Sequence, residues 1–208
     1  MSKPLYVTNP EQWLSETAHG PDLCCVVIFR GSWCKYDRHY LRKLGQFHLG
    51  NMKKENVRII AWTSEGAEGA AKADKDWGLT AELGYDEVIG DDTLALAKYL
   101  VADEVLPALL TVTPTEAGVD MHVTAGSYPN GMVMPGMIWY AHHGKITLQW
   151  EGTMDLLGRP DPESLWEEVK KRKHALDCGN AIMPAHNKQM KLCTASDIDL
   201  AMADCSIL

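Results

Sequence analysis

Residues 23–44 have the sequence LCCVVIFRGSWCKYDRHYLRKL, and this stretch decides the fold. Residues 24–29 are apolar and rich in β-branched side chains, which is typical of a strand buried on both faces. After the turn at Gly31, large apolar residues recur at steps of three and four, as on one face of a helix: Tyr36, Tyr40, Leu41 and Leu44. The sequence therefore predicts that Cys34 lies where a central strand passes into a helix.

Cys34 is the main candidate for a reactive group. The unpaired N–H groups and the dipole at a helix N-terminus favour a thiolate, and nearby cations lower a thiol pKa further. Arg30 and Arg38 are the expected cations and are predicted to act with Cys34 in catalysis. The alternative is an inert cysteine that serves as a small apolar residue.

Asp37 follows Cys34 by three residues and has two interpretations. As a helix cap, its carboxylate would accept backbone N–H groups and stabilise the first turn by roughly 0.5 to 1 kcal/mol. As a catalytic group, it would exchange a proton with Cys34 or with a substrate. A carboxylate this close opposes thiolate formation unless it is protonated or paired with Arg38. The sequence alone does not separate the two.

The rest of the chain alternates between strand and helix patterns. A short helix is predicted from Asn9-Pro10 to about Thr17, and residues 45–56 are predicted to end the helix after Cys34 and form a loop. Strands are predicted at 57–62, 88–90, 137–141 and 146–150, the last two joined by a tight turn, and helices at 67–77, after Asp91-Asp92, and after the turn at 158–163. This alternation indicates an α/β core with parallel strands and right-handed crossovers.

One domain accounts for residues 1–174, with residues 102–131 as an inserted loop region and residues 175–208 as a C-terminal extension. A chain of 208 residues with 46% hydrophobic residues can build one ample core. The net charge of −8 gives no basic field for nucleic acid or an anionic membrane. No signal-like start and no apolar run of about 18 residues is present, so we expect an intracellular, cytoplasmic protein.

The six cysteines are too few and too scattered for a disulfide scaffold, and no C-x-x-C pair suggests a zinc site. We therefore expect free thiols and no metal. Cys24 and Cys25 belong to the central strand and should be buried. The extension carries Cys178, Cys193 and Cys205, and one of them is a candidate to form a disulfide with an oxidised Cys34.

The motif Arg30-Gly31-Ser32-Trp33-Cys34 resembles the active-site turn of the thioredoxin superfamily, and more closely that of peroxiredoxin-like (AhpC/TSA-related) proteins. The second cysteine of their C-x-x-C motif is Asp37 here, so a disulfide within the motif is excluded. Val27 and Gly31 stand where peroxiredoxins carry a proline and a threonine or serine. The resemblance covers residues 23–173 and implies a thioredoxin-like fold, a central mixed sheet flanked by helices.

The resemblance also implies further site residues. Pro135 would be a cis-proline opposite the active-site turn, with Met134 presenting its backbone to a substrate. Arg159, in the turn Gly158-Arg159-Pro160-Asp161-Pro162, would bind an anionic substrate or brace the loop through Asp161. Independently of the resemblance, Trp33 and Tyr36 flank Cys34 in the sequence, and they would either line a substrate pocket or cover the edge of the sheet.

The function that this pattern favours is a single-cysteine thiol oxidoreductase. The Cys34 thiolate would attack a peroxide or a disulfide, and glutathione, a thioredoxin-type protein or a cysteine of the extension would regenerate it. No metal, nucleotide or flavin is expected, and a homodimer is left open. Two alternatives remain: an enzyme that uses Cys34, with Asp37 as acid, on a small organic substrate, or a thioredoxin-like module that only binds a partner.

Overall fold

The computed structural model describes residues 7, 9–19, 23–102, 111–112, 128–141, 145–151 and 158–178. In chain order its elements are α1 (Pro10–His19), β1 (Leu23–Phe29), α2 (Lys35–Phe47), β2 (Val57–Thr63), α3 (Ala67–Trp77), β3 (Glu87–Gly90), α4 (Ala95–Ala102), β4 (Thr111–Val112), β5 (Met132–Val133), β6 (Gly136–Ala141), β7 (Lys145–Glu151) and α5 (Pro162–Asp177). A turn of π-helix (His48–Met52) and a turn of 3-10 helix (Lys53–Glu55) extend α2 towards β2.

A mixed five-stranded sheet with the order β3-β2-β1-β6-β7 forms the centre of the molecule. Strand β1 pairs in parallel with β2 on one side and antiparallel with β6 on the other. Strand β2 also pairs in parallel with β3, and β7 pairs antiparallel with β6. The predicted central mixed sheet flanked by helices is therefore confirmed, with the motif strand in the middle.

Two hydrophobic clusters cover the two faces of this sheet. Successive side chains of a strand point to opposite faces, and the two cysteines of β1 follow this rule: Cys25 packs in one cluster and Cys24 in the other. The first cluster is closed by α2, α3 and α5, and the second by α1 and α4. This layering buries β1 on both faces, as its apolar sequence predicts.

The predicted loop over residues 45–56 is wrong. Helix α2 runs through Gly45 and ends at Phe47, and helical turns continue to Glu55. A Cβ on Gly45 would lie 2.7 Å from the Cβ of Leu83 and 3.0 Å from Cε2 of Tyr85. Gly45 therefore leaves room for residues 83–85, which pack directly on α2. This glycine does not mark the end of the helix.

Much of the predicted insertion and extension lies outside the described residues. Within 102–131, only residues 102, 111–112 and 128–131 are described, and β4 pairs with β5 just ahead of β6. Of the extension, only residues 175–178 are described. Within the described part of the chain, no helix is both long and apolar enough to cross a membrane.

Candidate active site

Cys34 lies at the N-cap of α2, one turn after the carboxyl end of β1. The backbone N–H of Cys34 donates to the carbonyl of Gly31 (3.0 Å), which closes the turn that links strand and helix. The backbone N–H of Asp37 lies 3.4 Å from the Cys34 Sγ and donates to it. The sulfur therefore occupies the predicted strand-to-helix corner, in contact with an N–H group of the first helical turn.

A buried ionic cluster surrounds the sulfur. Nη2 of Arg30 lies 2.9 Å from the Cys34 Sγ. The same arginine donates to Oδ2 of Asp37 through its backbone N–H (2.9 Å) and through Nε (3.3 Å). Nη2 of Arg159, from the turn before α5, donates to Oδ1 of Asp37. All four residues are at most 3% exposed, so the cluster is shielded from solvent.

Asp37 does not cap its own helix, so the structure does not support the first of its two interpretations. The N-cap group is the Cys34 sulfur, and the carboxylate is directed to Arg30 and Arg159. Complete burial alone would raise the pKa of Asp37, but the charges of Arg159 and Arg30 and the backbone N–H of Arg30 outweigh it and hold this pKa below its usual value. Asp37 is therefore ionised at neutral pH.

The Cys34 thiol is not the thiolate that the motif predicts. Burial raises the pKa of Cys34 to about 12, and the charge of Asp37 adds to this rise, while Arg30, the N–H of Asp37 and Arg159 act in the opposite direction. Cys34 is only 2% exposed. In this conformation Cys34 is a protonated, shielded thiol because the loss of hydration outweighs the cations beside it.

Three side chains that the sequence analysis missed hold the turn before Cys34. The hydroxyl of Tyr128 donates to the carbonyl of Arg30 (2.7 Å) and accepts from Nε1 of Trp33 (2.7 Å). Oγ1 of Thr63 also donates to the carbonyl of Arg30 (3.1 Å). Both carboxylate oxygens of Glu65 accept from Ser32, at 2.6 Å from its N–H and 3.2 Å from its hydroxyl.

A signal for two of these side chains was present in the sequence. Thr63 and Glu65 stand at the carboxyl end of β2, and β2 is the parallel neighbour of β1. Carboxyl ends of parallel strands meet at one edge of a sheet, where ligand sites form. Tyr128 lies 98 positions from Arg30, in the region predicted as an insertion, and no local pattern marks it.

The structure brings Arg30 and Arg159 to Asp37 but places Arg38 elsewhere. Arg38 is half-buried on α2, and it is not among the charges that shift the pKa of Cys34, which are those of Asp37, Arg30 and Arg159. The prediction that Arg38 is a cation of the Cys34 site is therefore not supported. Arg159 braces its loop through Asp37, while Asp161 caps α5 and pairs with Lys43 (3.3 Å).

Trp33 and Tyr36 flank the thiol and are half-buried. The guanidinium carbon of Arg30 lies 5.8 Å from the ring centroid of Trp33, in the range of a cation–π contact. Tyr36 packs against the hydrophobic cluster on the sheet face covered by α2, α3 and α5. Nζ of Lys35 lies 5.5 Å from the centroid of the Tyr36 ring. Both rings contribute to packing, and a role for either in binding a substrate stays a prediction.

Pro135 lies beside the carboxyl end of β1, because the next residue, Gly136, pairs with Ile28. Pro135 is buried and Met134 is half-buried between β5 and β6. The predicted cis bond is wrong, since none of the described residues has a cis peptide bond. The trans form of an X–Pro bond is favoured by about 0.5–1 kcal/mol, and the join between these strands accommodates it.

The remaining described cysteines do not approach Cys34. Cys24 and Cys25 are buried as predicted, and burial raises the pKa of both thiols. Cys178 is exposed at the C-terminal end of α5, with its sulfur 3.8 Å from Nε2 of His174. The other end of α5 adjoins Arg159, and a helix of this length spans about 24 Å. Cys193 and Cys205 lie outside the described residues.

Among the described residues, no group of three or more His, Cys, Asp or Glu side chains is placed to hold a metal ion. The nearest polar partners of Cys34 are guanidinium and backbone N–H groups, which suit anions. The arrangement can therefore stabilise negative charge on the sulfur, or on an oxygen bound to it, once the sulfur is reached by a substrate.

Solved structures of peroxiredoxins share this fold. Enterococcus faecalis AhpC superimposes with a TM-score of 0.58 at 12% identity, covering 81% of this chain and 84% of that one. A mitochondrial 2-Cys peroxiredoxin of Plasmodium falciparum gives 0.51 at 13% identity (82% and 86% covered), and a yeast mitochondrial 1-Cys peroxiredoxin gives 0.51 at 16% identity (81% and 69% covered). No protein-family model matches the sequence, and no curated protein is significantly similar to it. The predicted thioredoxin-like, peroxiredoxin-like fold is thereby confirmed.

Proposed function

We propose that this protein is a thiol-dependent oxidoreductase of the peroxiredoxin type that reacts through Cys34. The observation that carries the proposal is the contact of 2.9 Å between the Cys34 sulfur and the guanidinium of Arg30, at the N-terminus of the helix that follows the central strand. A thiolate formed at this point is stabilised by the guanidinium, by the N–H of Asp37 and by the helix dipole. The peroxiredoxin-like fold adds support.

In the first step the Cys34 thiolate attacks one oxygen of a peroxide. The S–O bond forms as the O–O bond breaks, and the departing oxygen takes up a proton and leaves as an alcohol or water. Cys34 is oxidised by two electrons to a sulfenic acid and the peroxide is reduced. The guanidinium of Arg30 is suited to stabilise the negative charge that moves to the departing oxygen.

An external thiol is the proposed reductant. Its sulfur attacks the sulfenic acid, water leaves, and a mixed disulfide forms, which a second thiol cleaves to restore Cys34 and release a disulfide. Two observations support this route over an internal one: Asp37 replaces the second cysteine of the motif, and Cys178 lies at the far end of α5. The yeast 1-Cys peroxiredoxin of the same fold is resolved through glutathione and thioredoxin systems, and we propose the same classes of reductant here.

The burial of Cys34 sets a requirement on this chemistry. With its pKa at about 12, the thiol is protonated at neutral pH in the closed conformation. The reactive thiolate must therefore form when the turn opens or when a substrate displaces the groups that cover the sulfur. Arg30 then stabilises the charge, while ionised Asp37 opposes it.

A peroxide-consumption assay with glutathione tests the proposal. The wild-type protein should consume hydrogen peroxide in proportion to glutathione, and mass spectrometry with dimedone should trap the sulfenic acid on Cys34. Cys34→Ser should abolish turnover, whereas the matched control Cys178→Ser, which removes an exposed thiol far from the site, should retain it. Equal peroxide consumption by the wild type and Cys34→Ser would disprove a catalytic Cys34.

A second candidate is a thioredoxin-like module that binds a partner without turnover, and the burial and raised pKa of Cys34 favour it. The two are separated by the rate at which iodoacetamide modifies Cys34 at pH 7.5: a binding module with a permanently closed thiol should be modified no faster than Cys25. The remaining alternative is an enzyme in which Asp37 acts as an acid on an organic substrate. It is weakened because the Asp37 carboxylate is ionised and both its oxygens accept hydrogen bonds from arginines.

A further inference from the structure

The hydroxyl of Tyr128 joins two parts of the turn before Cys34. It donates to the carbonyl of Arg30 and accepts from Nε1 of Trp33, each at 2.7 Å. Tyr128 is 8% exposed, and burial raises its pKa, so the hydroxyl keeps its proton and remains a donor. Since Arg30 also contacts the Cys34 sulfur, the tyrosine fixes the backbone of the residue that carries the nearest cation.

The packing around Gly31 leaves this turn little freedom. A Cβ on Gly31 would lie 2.0 Å from the Tyr128 hydroxyl, 2.7 Å from Nε1 of Trp33 and 3.1 Å from Oε2 of Glu65. Distances below 3.0 Å from a Cβ require atoms to move, so the Tyr128 hydroxyl sits directly against the backbone of the turn. Glycine at position 31 is the residue that permits this approach.

Glu65 holds the same turn from the carboxyl end of β2. Its carboxylate accepts the N–H of Ser32 at 2.6 Å and the hydroxyl of Ser32 at 3.2 Å. The turn is thus attached at Arg30, Ser32 and Trp33 by side chains from other parts of the chain. These attachments hold it in the conformation in which Cys34 is 2% exposed.

We propose that Tyr128 is a positioning residue of the Cys34 site: its hydroxyl keeps the Gly31–Trp33 turn closed, which holds Arg30 on the sulfur and excludes solvent from it. The inference rests on the proposed function for its biological meaning. The contact between Tyr128 and the turn bears on how accessible the Cys34 thiol is, and this accessibility can be measured without turnover. Release of the Tyr128 hydrogen bonds is accordingly the event that exposes Cys34 to a substrate or reductant.

The test compares Tyr128→Phe with the wild-type full-length chain under native conditions. Iodoacetamide modification of Cys34, followed by peptide mapping, should be at least about tenfold faster in Tyr128→Phe, because the variant loses two hydrogen bonds and each shifts the closed–open balance by a factor of roughly three to ten. Amide hydrogen exchange in the peptide that contains residues 31–34 should accelerate as well. Trp33→Phe, which removes the other partner of the hydroxyl, should raise the Cys34 modification rate in the same direction and serves if Tyr128→Phe folds poorly.

Tyr85→Phe is the matched control, since Tyr85 is also a buried tyrosine that donates to a backbone carbonyl, that of Leu41, at 2.9 Å. It should leave the Cys34 modification rate unchanged. Equal acceleration in Tyr85→Phe and Tyr128→Phe, or none in Tyr128→Phe and Trp33→Phe, would overturn the proposal. Failure of the peroxidase assay with a tenfold effect of Tyr128→Phe would instead count against the proposed function alone.

Discussion

The carboxylate of Asp37 is buried between two guanidinium groups and accepts hydrogen bonds on both oxygens. Asp37 stands at the position of the second cysteine of a C-x-x-C motif, and its negative charge offsets part of the positive charge of the two buried arginines. The same charge raises the pKa of Cys34. One residue thus organises the site and adds to the effect of burial, which keeps the resting sulfur protonated.

Asp37→Asn should lower the free energy of unfolding by about 3–5 kcal/mol, because breaking a buried pair leaves uncompensated buried charge. Asp76→Asn is the matched control, since Asp76 pairs with Lys72 on the surface of α3 and such pairs contribute less than about 1 kcal/mol. Urea denaturation of both variants measures the difference. Similar losses for the two variants would show that the Asp37 cluster contributes no special stability.

The modification rate of Cys34 by iodoacetamide should rise about tenfold per pH unit from pH 6 to pH 9, without a plateau. The thiolate is the reactive form, and with a pKa of about 12 its fraction is still increasing throughout this range. Arg30→Met should slow the reaction, because Arg30 lowers the pKa of Cys34. Arg38→Met is the matched control, because Arg38 lies on α2 outside the Cys34 cluster, and it should leave the modification rate unchanged. A plateau near pH 7 in the wild type would contradict the raised pKa.

At the scale of elements, the local sequence predicts a helix or a strand correctly where one kind of residue dominates the segment. The predicted helix over 67–77 matches α3 residue for residue, and the predicted strand over 57–62 differs from β2 by one residue. The pattern failed at Gly45, because a glycine that ends a helix and one that admits a neighbouring segment look alike in sequence. Only the position of Leu83 and Tyr85 distinguishes them.

Gly45→Ala should destabilise the protein by about 1–3 kcal/mol, although alanine favours helix over glycine by up to about 1 kcal/mol. The added Cβ would lie 2.7 Å from the Cβ of Leu83 and 3.2 Å from its carbonyl oxygen, and neither can move without shifting backbone. Gly50→Ala is the control, since nothing lies within 4 Å of a Cβ there, and it should leave stability unchanged or slightly raised. Thermal unfolding of both variants and the wild type measures these changes in stability. A Gly45→Ala variant more stable than the wild type would refute the packing argument.

At the scale of the whole molecule, the site is assembled from segments that no local pattern connects. Asp37 and Arg159 are 122 positions apart, and their ion pair depends on α5 packing beside α2. The sequence could place Cys34 at the end of the central strand because one motif carries that information. It could not pair Arg159 with Asp37, assign Tyr128 to the turn, or reveal that burial outweighs the cations around the sulfur. Those features arise only when distant parts of the fold meet.

Global stability should fall in two stages on acidification. Burial lowers the pKa of His48, so its neutral form stabilises the fold fully above the unfolded value of about 6.5, and this stability is lost as pH falls through the folded pKa. The pKa of Asp37 is also lowered, so its contribution persists above the unfolded value of about 3.9 and is lost at lower pH.

His48→Gln should therefore remove the loss of stability that begins as the pH falls below about 6.5 and leave the loss below about pH 4 intact. His174→Gln, at an exposed position on α5, should change neither stage. Free energies of unfolding from urea titrations at half-unit pH steps provide the measurement. If His48→Gln and the wild type lose stability in parallel as the pH falls from about 6.5 to about 4, the first stage does not arise from His48, and another group must take up the proton on unfolding.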